Sequence, residues 1–208
     1  MNVGASVSYA LWALDHGDSQ HAALHACNAV DGTARKHFPR RGVRDRFTTL
    51  MRDGNWILEP MGASGINLDT SRWQVRAGSP PRLQVVDFAD LVYLVHRCTH
   101  GHGDELPGGF ELLPDVRGPD GVTHMFASFD DDTVQLSDRV IPALLCLAVL
   151  APANSDQVAT EEAWLSYEGR RLLVNEWWGR IEEFAEVITI YERTPRITMN
   201  LTDEQPNG

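Results

Sequence analysis

The chain has 208 residues, of which 43% are apolar and 23% are charged, as in ordinary globular proteins long enough to form one large domain. The formal net charge of −11 argues against a broad, sequence-independent grip on nucleic acid, because phosphate binding depends on clustered Lys and Arg. The longest apolar run, 140–153, contains Pro142 and Pro152 and is too short to span a bilayer, and residues 1–4 lack the basic start of a secretion signal. The sequence therefore predicts a soluble, cytoplasmic protein without a membrane segment.

The cysteines of the chain, Cys27, Cys98 and Cys146, are odd in number and widely spaced. Such spacing does not suit the framework of a disulfide-bonded protein. Two of the three lie in apolar segments. We therefore expect reduced, buried thiols without a redox role.

Apolar residues recur at helical spacing in the first quarter of the chain. Gly17 ends the first predicted helix, and Asp18 or Ser19 caps the second. Because their connection is short, these two helices should form an antiparallel pair. A stretch rich in Gly and Pro then predicts a long, packed loop of the kind that often binds ligands. The predicted elements are helices over 5–16, 19–36 and 43–52, a loop over 53–82 and a buried helix over 83–98.

Short apolar runs separated by turn residues predict strands in the second half of the chain. The pair Glu168-Gly169 indicates a hairpin turn, and Asn175 caps a last helix whose tryptophans seal the core. Together with the first half, this pattern predicts a mainly helical α+β protein. The predicted elements are strands over 110–114, 122–129 and 133–136, a helix over 138–150, a linker over 152–160, a hairpin over 164–174, a helix over 177–193 and a strand over 197–201.

One segment concentrates the side chains that chemistry on a phosphate requires. Near Cys98 a predicted helix runs into a glycine-punctuated loop, and this junction carries Arg97, His100 and His102. Histidine titrates nearest to neutral pH, and arginine offers a planar fork of donors that suits a phosphate. These groups are the ones needed to cut a phosphodiester without a metal. The segment is therefore the candidate catalytic site.

A basic run at the end of the second predicted helix supplies the candidate RNA-binding residues Arg35, Lys36, Arg40 and Arg41. Such a run is either a solvated helix end or a face that contacts phosphates, and the sequence favours neither. Asp31 lies one helical turn before Arg35, which predicts an exposed ion pair worth about 0.3 kcal/mol.

The stretch Arg97-Cys98-Thr99-His100-Gly101-His102 resembles the Arg-x4-His motif of the HEPN superfamily, the higher eukaryotes and prokaryotes nucleotide-binding domains. The order of elements is similar as well: an antiparallel helical pair, a later helix that ends in the motif, and a further helix. Residues 24–36 look like the second helix of that superfamily. The resemblance covers residues 5–105 and the helix predicted from 138.

The resemblance implies a HEPN-like helical domain over 1–154 with a strand-rich insertion at 110–136. A hairpin and helix over 160–201 would form an extension that packs on this domain. The insertion and the extension have no counterpart in the minimal HEPN bundle.

By the same resemblance, the implied activity is metal-independent RNA cleavage without a cofactor, in toxin, anti-phage or stress biology. HEPN nucleases typically act as homodimers in which two motif loops face each other. Arg97 would hold the scissile phosphate and stabilise its developing charge. His102 would move protons, with His100 as a competing candidate. RNA would be the substrate because it alone supplies a 2'-hydroxyl nucleophile.

Two alternatives stay open at this point. In the first, Arg97 caps carbonyls at the end of its helix and the bundle serves as a non-catalytic module for dimerisation or for a protein partner. In the second, the protein binds a transition metal, because alternate residues of an extended strand share one side. That side would carry His96, Cys98, His100, His102 and Asp104.

Overall fold

The computed structural model describes residues 2–77, 82–102, 110–117, 119, 123–124, 127–130, 133–188 and 195–201. In this part of the chain the fold is mixed α+β, with small sheets beside a set of helices. The helices are α1 (Val3–Asp15), α2 (Ser19–His37), α3 (Val43–Asp53), α4 (Asn55–Gly62), α5 (Phe88–His102), α6 (Val140–Leu150), α7 (Val174–Trp177) and α8 (Ile181–Val187), with a 3-10 turn at Pro152–Asn154.

The strands form short sheets and hairpins rather than one continuous sheet. They are β1 (Arg72–Ala77), β2 (Arg82–Val86), β3 (Phe110–Leu113), β4 (Val116–Arg117), β5 (Thr123–His124), β6 (Ala127–Asp130), β7 (Thr133–Ser137), β8 (Trp164–Tyr167), β9 (Arg170–Leu173) and β10 (Asn200–Leu201). One sheet has the order β10-β1-β2 and another the order β3-β7-β6, while β4 pairs with β5 and β8 with β9.

The first three predicted helices are confirmed, and the side chains before them explain where two of them begin. The Asn2 side chain accepts a hydrogen bond of 3.1 Å from the Ala5 N–H, and Asp18 accepts one of 3.1 Å from the His21 N–H. Each cap satisfies a backbone donor that the first helical turn leaves unpaired. As predicted, α1 and α2 form a closely packed pair.

The predicted loop over 53–82 is wrong, and so is the start of the helix predicted at 83. Residues 55–62 form α4, and β1 and β2 pair as an antiparallel hairpin in which Trp73 lies opposite Val86. Trp73 and Val75 are buried and alternate with polar residues, which is the period of a strand. Of the Gly and Pro residues that indicated a loop, Pro60 and Gly62 lie inside α4 and Gly65 has a φ of +85° after it. Residues 78–81 lie outside the described residues.

The core is built around α6, which is apolar on every side, as a fully buried helix should be. Each of its residues except Pro142 is buried. Small residues on the neighbouring helices allow close packing against α6: Ala26 of α2 has no exposed surface, and a Cβ at Gly62 of α4 would lie only 2.8 Å from the Ala143 Cβ. The hairpin β8-β9 and α7 adjoin the same helix.

The C-terminal hairpin is confirmed, whereas the long helix predicted over 177–193 is wrong. Glu168 and Gly169 have φ values of +50° and +76°, as their tight turn requires. The helical segments α7 and α8 are short and separate. The break occurs at Gly179, whose φ is +77° and whose N–H donates to the Val149 carbonyl at 2.9 Å. The stretch 189–194 lies outside the described residues.

The predicted terminal strand is present in shortened form as β10, which runs parallel to β1 with Asn200 opposite Arg72. Ile197 forms a further bridge to Ile66. Within the described ranges, no helix is both long enough and apolar enough to cross a membrane.

Candidate functional site

Helix α5 carries the predicted catalytic residues, and it is longer than the sequence indicated. Its backbone is helical from Phe88 to His102, so the loop expected after Cys98 is wrong for residues 99–102. A single glycine costs a helix only about 1 kcal/mol relative to alanine, and Gly101 does not end this one. The side chains of 97–102, including Arg97, His100 and His102, and the whole of 103–109 lie outside the described residues.

The first half of α5 is held against α3 by a network of two arginines and two aspartates. Arg52 donates from Nε to Asp87 at 2.7 Å and from Nη2 to Asp90 at 2.8 Å, and Arg44 donates from Nη2 to Asp90 at 2.8 Å. Although partial burial opposes it, the hydrogen bond from Arg52 lowers the pKa of Asp87 below its usual value. Asp87 also accepts a hydrogen bond of 2.8 Å from the Asp90 N–H. The same carboxylate therefore caps α5 and binds Arg52 of the neighbouring helix α3.

The middle of α5 packs on the first half of α3 through aromatic rings. The His96 ring is stacked on Phe47 with centroids 5.2 Å apart and an interplanar angle of 12°, and Tyr93 lies 5.6 Å from the same Phe47 ring. His96 is only 4% exposed. This histidine therefore belongs to the helix interface and is not available to a surface site.

Contacts along α3 show that its two neighbours both run antiparallel to it. The end of α3 meets the start of α5 at Arg52 and Asp87, and its first half meets the middle of α5 at Phe47 and His96. Since α2 leads into α3 through the short connection 38–42, α2 is antiparallel to α3 as well. The C-terminal end of α5 therefore emerges at the same end of the bundle as that connection.

Asp31 joins α2 to α3, which corrects its predicted pairing with Arg35. It accepts three hydrogen bonds from Arg46, the shortest being 2.9 Å from Nη2. Both side chains are mostly buried, at 16% and 14% exposure. The pair Asp31–Arg46 forms instead of Asp31–Arg35, because the planar guanidinium of Arg46 reaches Asp31 between the packed helices.

The predicted RNA-binding residues divide into two kinds. Lys36 donates to the Ala153 carbonyl at 3.2 Å and lies 3.5 Å from Asp156, and Arg41 donates to Thr49 at 2.8 Å. Arg35 and Arg40 are exposed, and neither forms an ion pair within the described part of the chain. Arg35 lies in the last turn of α2, and Arg40 lies in the connection that follows it.

The backbone of α5 does not have the extended conformation on which the metal-binding alternative depended. That alternative needs an extended backbone to bring His96, Cys98, His100 and His102 to one side, and residues 96–102 are helical. Among the residues that the structure describes, no three His, Cys, Asp or Glu side chains come together as a metal site would require. Cys27 and Cys146 are buried free thiols, as predicted, and burial raises the pKa of Cys27 to about 12.

A cleft of about 860 Å³ lies elsewhere on the molecule, where the sequence predicted no site. It is bounded by the second half of α1, the end of α4, the start of α6 and the hairpin β8-β9. Two tryptophans of its lining are exposed in the fold, a property that no local sequence signal revealed: Trp12 is 59% exposed and Trp164 is 46% exposed. Tryptophan is enriched at binding interfaces because it joins a large apolar ring to a polar N–H group.

The sequence matches the Rv1289 family over residues 2–204. The chain belongs to this family. Rv1289 of Mycobacterium tuberculosis and Mb1320 of Mycobacterium bovis, both described as uncharacterized proteins, are each 34% identical to it over 206 residues. In both cases the similarity covers 98% of this chain and 95% of the relative. No solved structure matches the chain.

The match to the Rv1289 family extends over both the α5 segment and the cleft, because it spans nearly the whole chain. Neither the family description nor the names of these relatives mentions HEPN or a ribonuclease. The HEPN resemblance therefore stays a prediction.

Proposed function

We propose that the protein is a metal-independent endoribonuclease of HEPN type, with Arg97 and His102 of α5 as its catalytic residues. The observation that carries the proposal is the shared position of two segments. The antiparallel packing of α2, α3 and α5 brings the C-terminal end of α5 to the bundle end where Arg35 and Arg40 are exposed. Exposed arginines at the bundle end where the helix carrying Arg97 and His102 ends would suit an RNA strand.

The arrangement of helices supports a HEPN-like bundle. The pair α1–α2, the helix α5 that carries the motif and the buried helix α6 follow the order that the resemblance implies. The contacts of α2 with α1, α3, α5 and α6 make it the central member of this bundle. In this proposal the strand-rich insertion 110–136 and the extension over 160–201 are additions to it.

In the proposed reaction, Arg97 binds the scissile phosphate and stabilises the charge that develops on it. His102, or His100 in its place, removes the proton of the ribose 2'-hydroxyl, whose oxygen attacks the phosphorus. The bond from phosphorus to the 5'-oxygen breaks, and that oxygen takes up a proton. The products are a 2',3'-cyclic phosphate and a 5'-hydroxyl, and no oxidant, metal or cofactor takes part.

The active form in this proposal is a homodimer in which two α5 ends form one composite site. Arg97 of one protomer and His102 of the other then act on the same phosphate. We place the enzyme in the cytoplasm, where a toxin, an anti-phage factor or a stress-response nuclease meets RNA.

The proposal is tested with the purified full chain, EDTA and a set of structured and unstructured RNAs. We expect fragments that end in 2',3'-cyclic phosphate, with cleavage lost in Arg97→Ala and in His102→Ala. His21→Ala, an exposed histidine of α2 away from this end, is the matched control and should retain full activity.

Wild-type protein with no cleavage above the Arg97→Ala background would end the nuclease proposal. If sedimentation nevertheless shows a dimer, the result supports a non-catalytic dimerisation module instead.

A further inference from the structure

The cleft between α1 and the hairpin β8-β9 is separate from the end of the bundle that carries Arg97. The residues of α1 that line the cleft lie next to the N-terminal end of α2. The C-terminal end of α5 lies at the same end of the bundle as the C-terminal end of α2. A helix of 19 residues is about 28 Å long. The cleft is therefore a second place on the molecule where a ligand would bind.

Two exposed indole rings from different elements line this cleft. Trp12 belongs to α1, and Trp164 belongs to β8. Their exposed fractions of 59% and 46% are far above those of Trp73 and Trp178, which are 2% and 7% exposed in the core. The volume of about 860 Å³ falls within the range of small-molecule sites.

The walls of the cleft are held in fixed positions by polar contacts. The segment between α6 and β8 is bound to α1, because the Ser8 hydroxyl accepts from the Thr160 N–H at 3.0 Å. A Cβ at Gly4 would lie 2.2 Å from the Val158 carbonyl oxygen, so α1 and this segment touch through backbone atoms. The Asn175 side chain accepts from the Ala159 N–H at 2.8 Å and joins the same segment to α7. The cleft is therefore preformed.

The charges in the cleft favour a neutral ligand. Its lining carries three carboxylates and two guanidinium groups, so neither sign of charge dominates: Asp15, Glu162 and Glu168 against Arg139 and Arg171. The Arg171 guanidinium lies over the Trp164 ring at 5.0 Å, which places hydrogen-bond donors beside that indole.

A sugar ring satisfies both features. Its C–H bonds carry partial positive charge and lie well on the negative face of an indole. Its hydroxyl groups donate to carboxylates such as Asp15 and accept from a guanidinium such as Arg171. Together the two indoles and the mixed donors and acceptors match a ligand with alternating C–H faces and hydroxyl edges.

We infer that this cleft binds a neutral oligosaccharide, with the sugar rings lying against Trp12 and Trp164. Nothing in this inference depends on the proposed nuclease activity, since the two sites use different residues.

The test uses the full ¹⁵N-labelled chain and a panel of neutral hexasaccharides of glucose, N-acetylglucosamine, mannose and xylose. We expect at least one to shift the indole N–H signals of Trp12 and Trp164 with a Kd below about 1 mM, a modest affinity for a ligand of this size. Trp12→Ala should raise that Kd about tenfold, which corresponds to about 1.4 kcal/mol.

Tyr9→Ala is the matched control, because Tyr9 lies on the same helix with the same 59% exposure but does not line the cleft. It should leave the Kd within about twofold of wild type, a change near the thermal energy. Thermal melting checks that both variants fold.

Absence of any shift with every sugar at about 10 mM, a level that would still reveal millimolar affinity, overturns the inference. Binding of AMP, inorganic phosphate or tetramethylammonium to the same two indoles, in preference to the sugars, overturns it too, because the cleft would then select charge.

Discussion

The two ends of the bundle present opposite kinds of candidate site. At one end, a short linear motif on α5 brings Arg97 and His102 within a few residues of each other, and exposed arginines lie near the start of the α2–α3 connection. At the other end, the cleft collects side chains from four separate parts of the chain and has no motif. A site formed by residues close in sequence can be predicted from the sequence. A site formed by distant segments can be recognised only in the folded structure.

The difference has a chemical side as well. The site proposed at the α5 end consists of an arginine and histidines, residue types that can bind phosphate and move protons. The cleft offers aromatic faces and balanced polar groups, which are suited to recognition. If both proposals hold, variants at one end should leave the other end unaffected.

The largest effect expected at the α5 end is the loss of catalysis. Arg97→Ala and His102→Ala should each reduce the rate of RNA cleavage by about 10³-fold or more, because they remove transition-state charge stabilisation or proton transfer. The rate is measured with a labelled RNA in EDTA. Oligosaccharide binding should be unchanged in both variants, and a parallel loss at the cleft would show a general folding defect instead.

The next effect concerns stability on the cleft side. Glu59 of α4 is 1% exposed and accepts hydrogen bonds from the Leu68 N–H at 2.8 Å and from Arg196 at 2.5 Å. Arg196→Ala leaves a buried carboxylate without its cation and should lower the free energy of unfolding by about 3 kcal/mol. Urea denaturation measures the loss.

Arg170→Ala, which removes an exposed arginine of β9, is the control for that experiment and should change stability by less than about 0.5 kcal/mol. An equally small loss in Arg196→Ala would contradict a buried, energetically important pair at Glu59.

A smaller change should separate the two sites directly. Gly4→Ala places a Cβ 2.2 Å from the Val158 carbonyl oxygen and forces α1 away from the segment that it contacts. We expect a loss of about 2 kcal/mol in stability from this overpacking. Oligosaccharide binding should weaken while RNA cleavage per folded molecule stays at the wild-type level. Gly42→Ala, where the added Cβ meets no described atom within 4 Å, is the control.

The contribution of the two exposed arginines should be smaller again. Replacing Arg35 and Arg40 together with alanine removes two exposed cations and should raise the KM for RNA about fivefold at low salt, with kcat nearly unchanged. Steady-state kinetics at two salt concentrations measure this. An unchanged KM would assign both arginines to a solvated surface.

The smallest effect is a pH dependence in the support of α5. Although partial burial opposes it, Arg52 holds the pKa of Asp87 below its ordinary value of 3.8. The stabilisation from this contact is therefore present above that value and is lost as pH falls through the lowered pKa. Asp87→Asn should therefore be less stable than wild type at pH 7 by at most about 1 kcal/mol, since Arg52 is partly exposed. The gap should narrow at pH 3, and urea titrations at both pH values check it.

Local patterns predicted those parts of the fold whose structure depends on nearby residues. The helices α1 to α3, the cap at Asp18 and the turn at Glu168-Gly169 were all predicted because caps, periodicity and tight turns are short-range features. The long C-terminal helix was wrong because Gly179 takes a positive φ and donates to Val149, a contact from a distant part of the chain.

The candidate sites follow the same division. The α5 motif was found from sequence, although the helix continues through it. The partner of Asp31 was predicted as Arg35, whereas Arg46 occupies that position because α2 and α3 pack side by side. The cleft was missed, since nothing local distinguishes the exposed Trp12 from the buried Trp73.

The sequence by itself determined the helices α1 to α3, the fully apolar α6 and the α5 motif, because each follows from residue type and short spacing. Only the tertiary structure decided the helix α4, the break before α8, which arginines are neutralised, which tryptophans are exposed and at which end of the bundle α5 ends. These properties depend on which surfaces remain uncovered after the helices pack around α6, and burial is a property of the whole chain rather than of any segment.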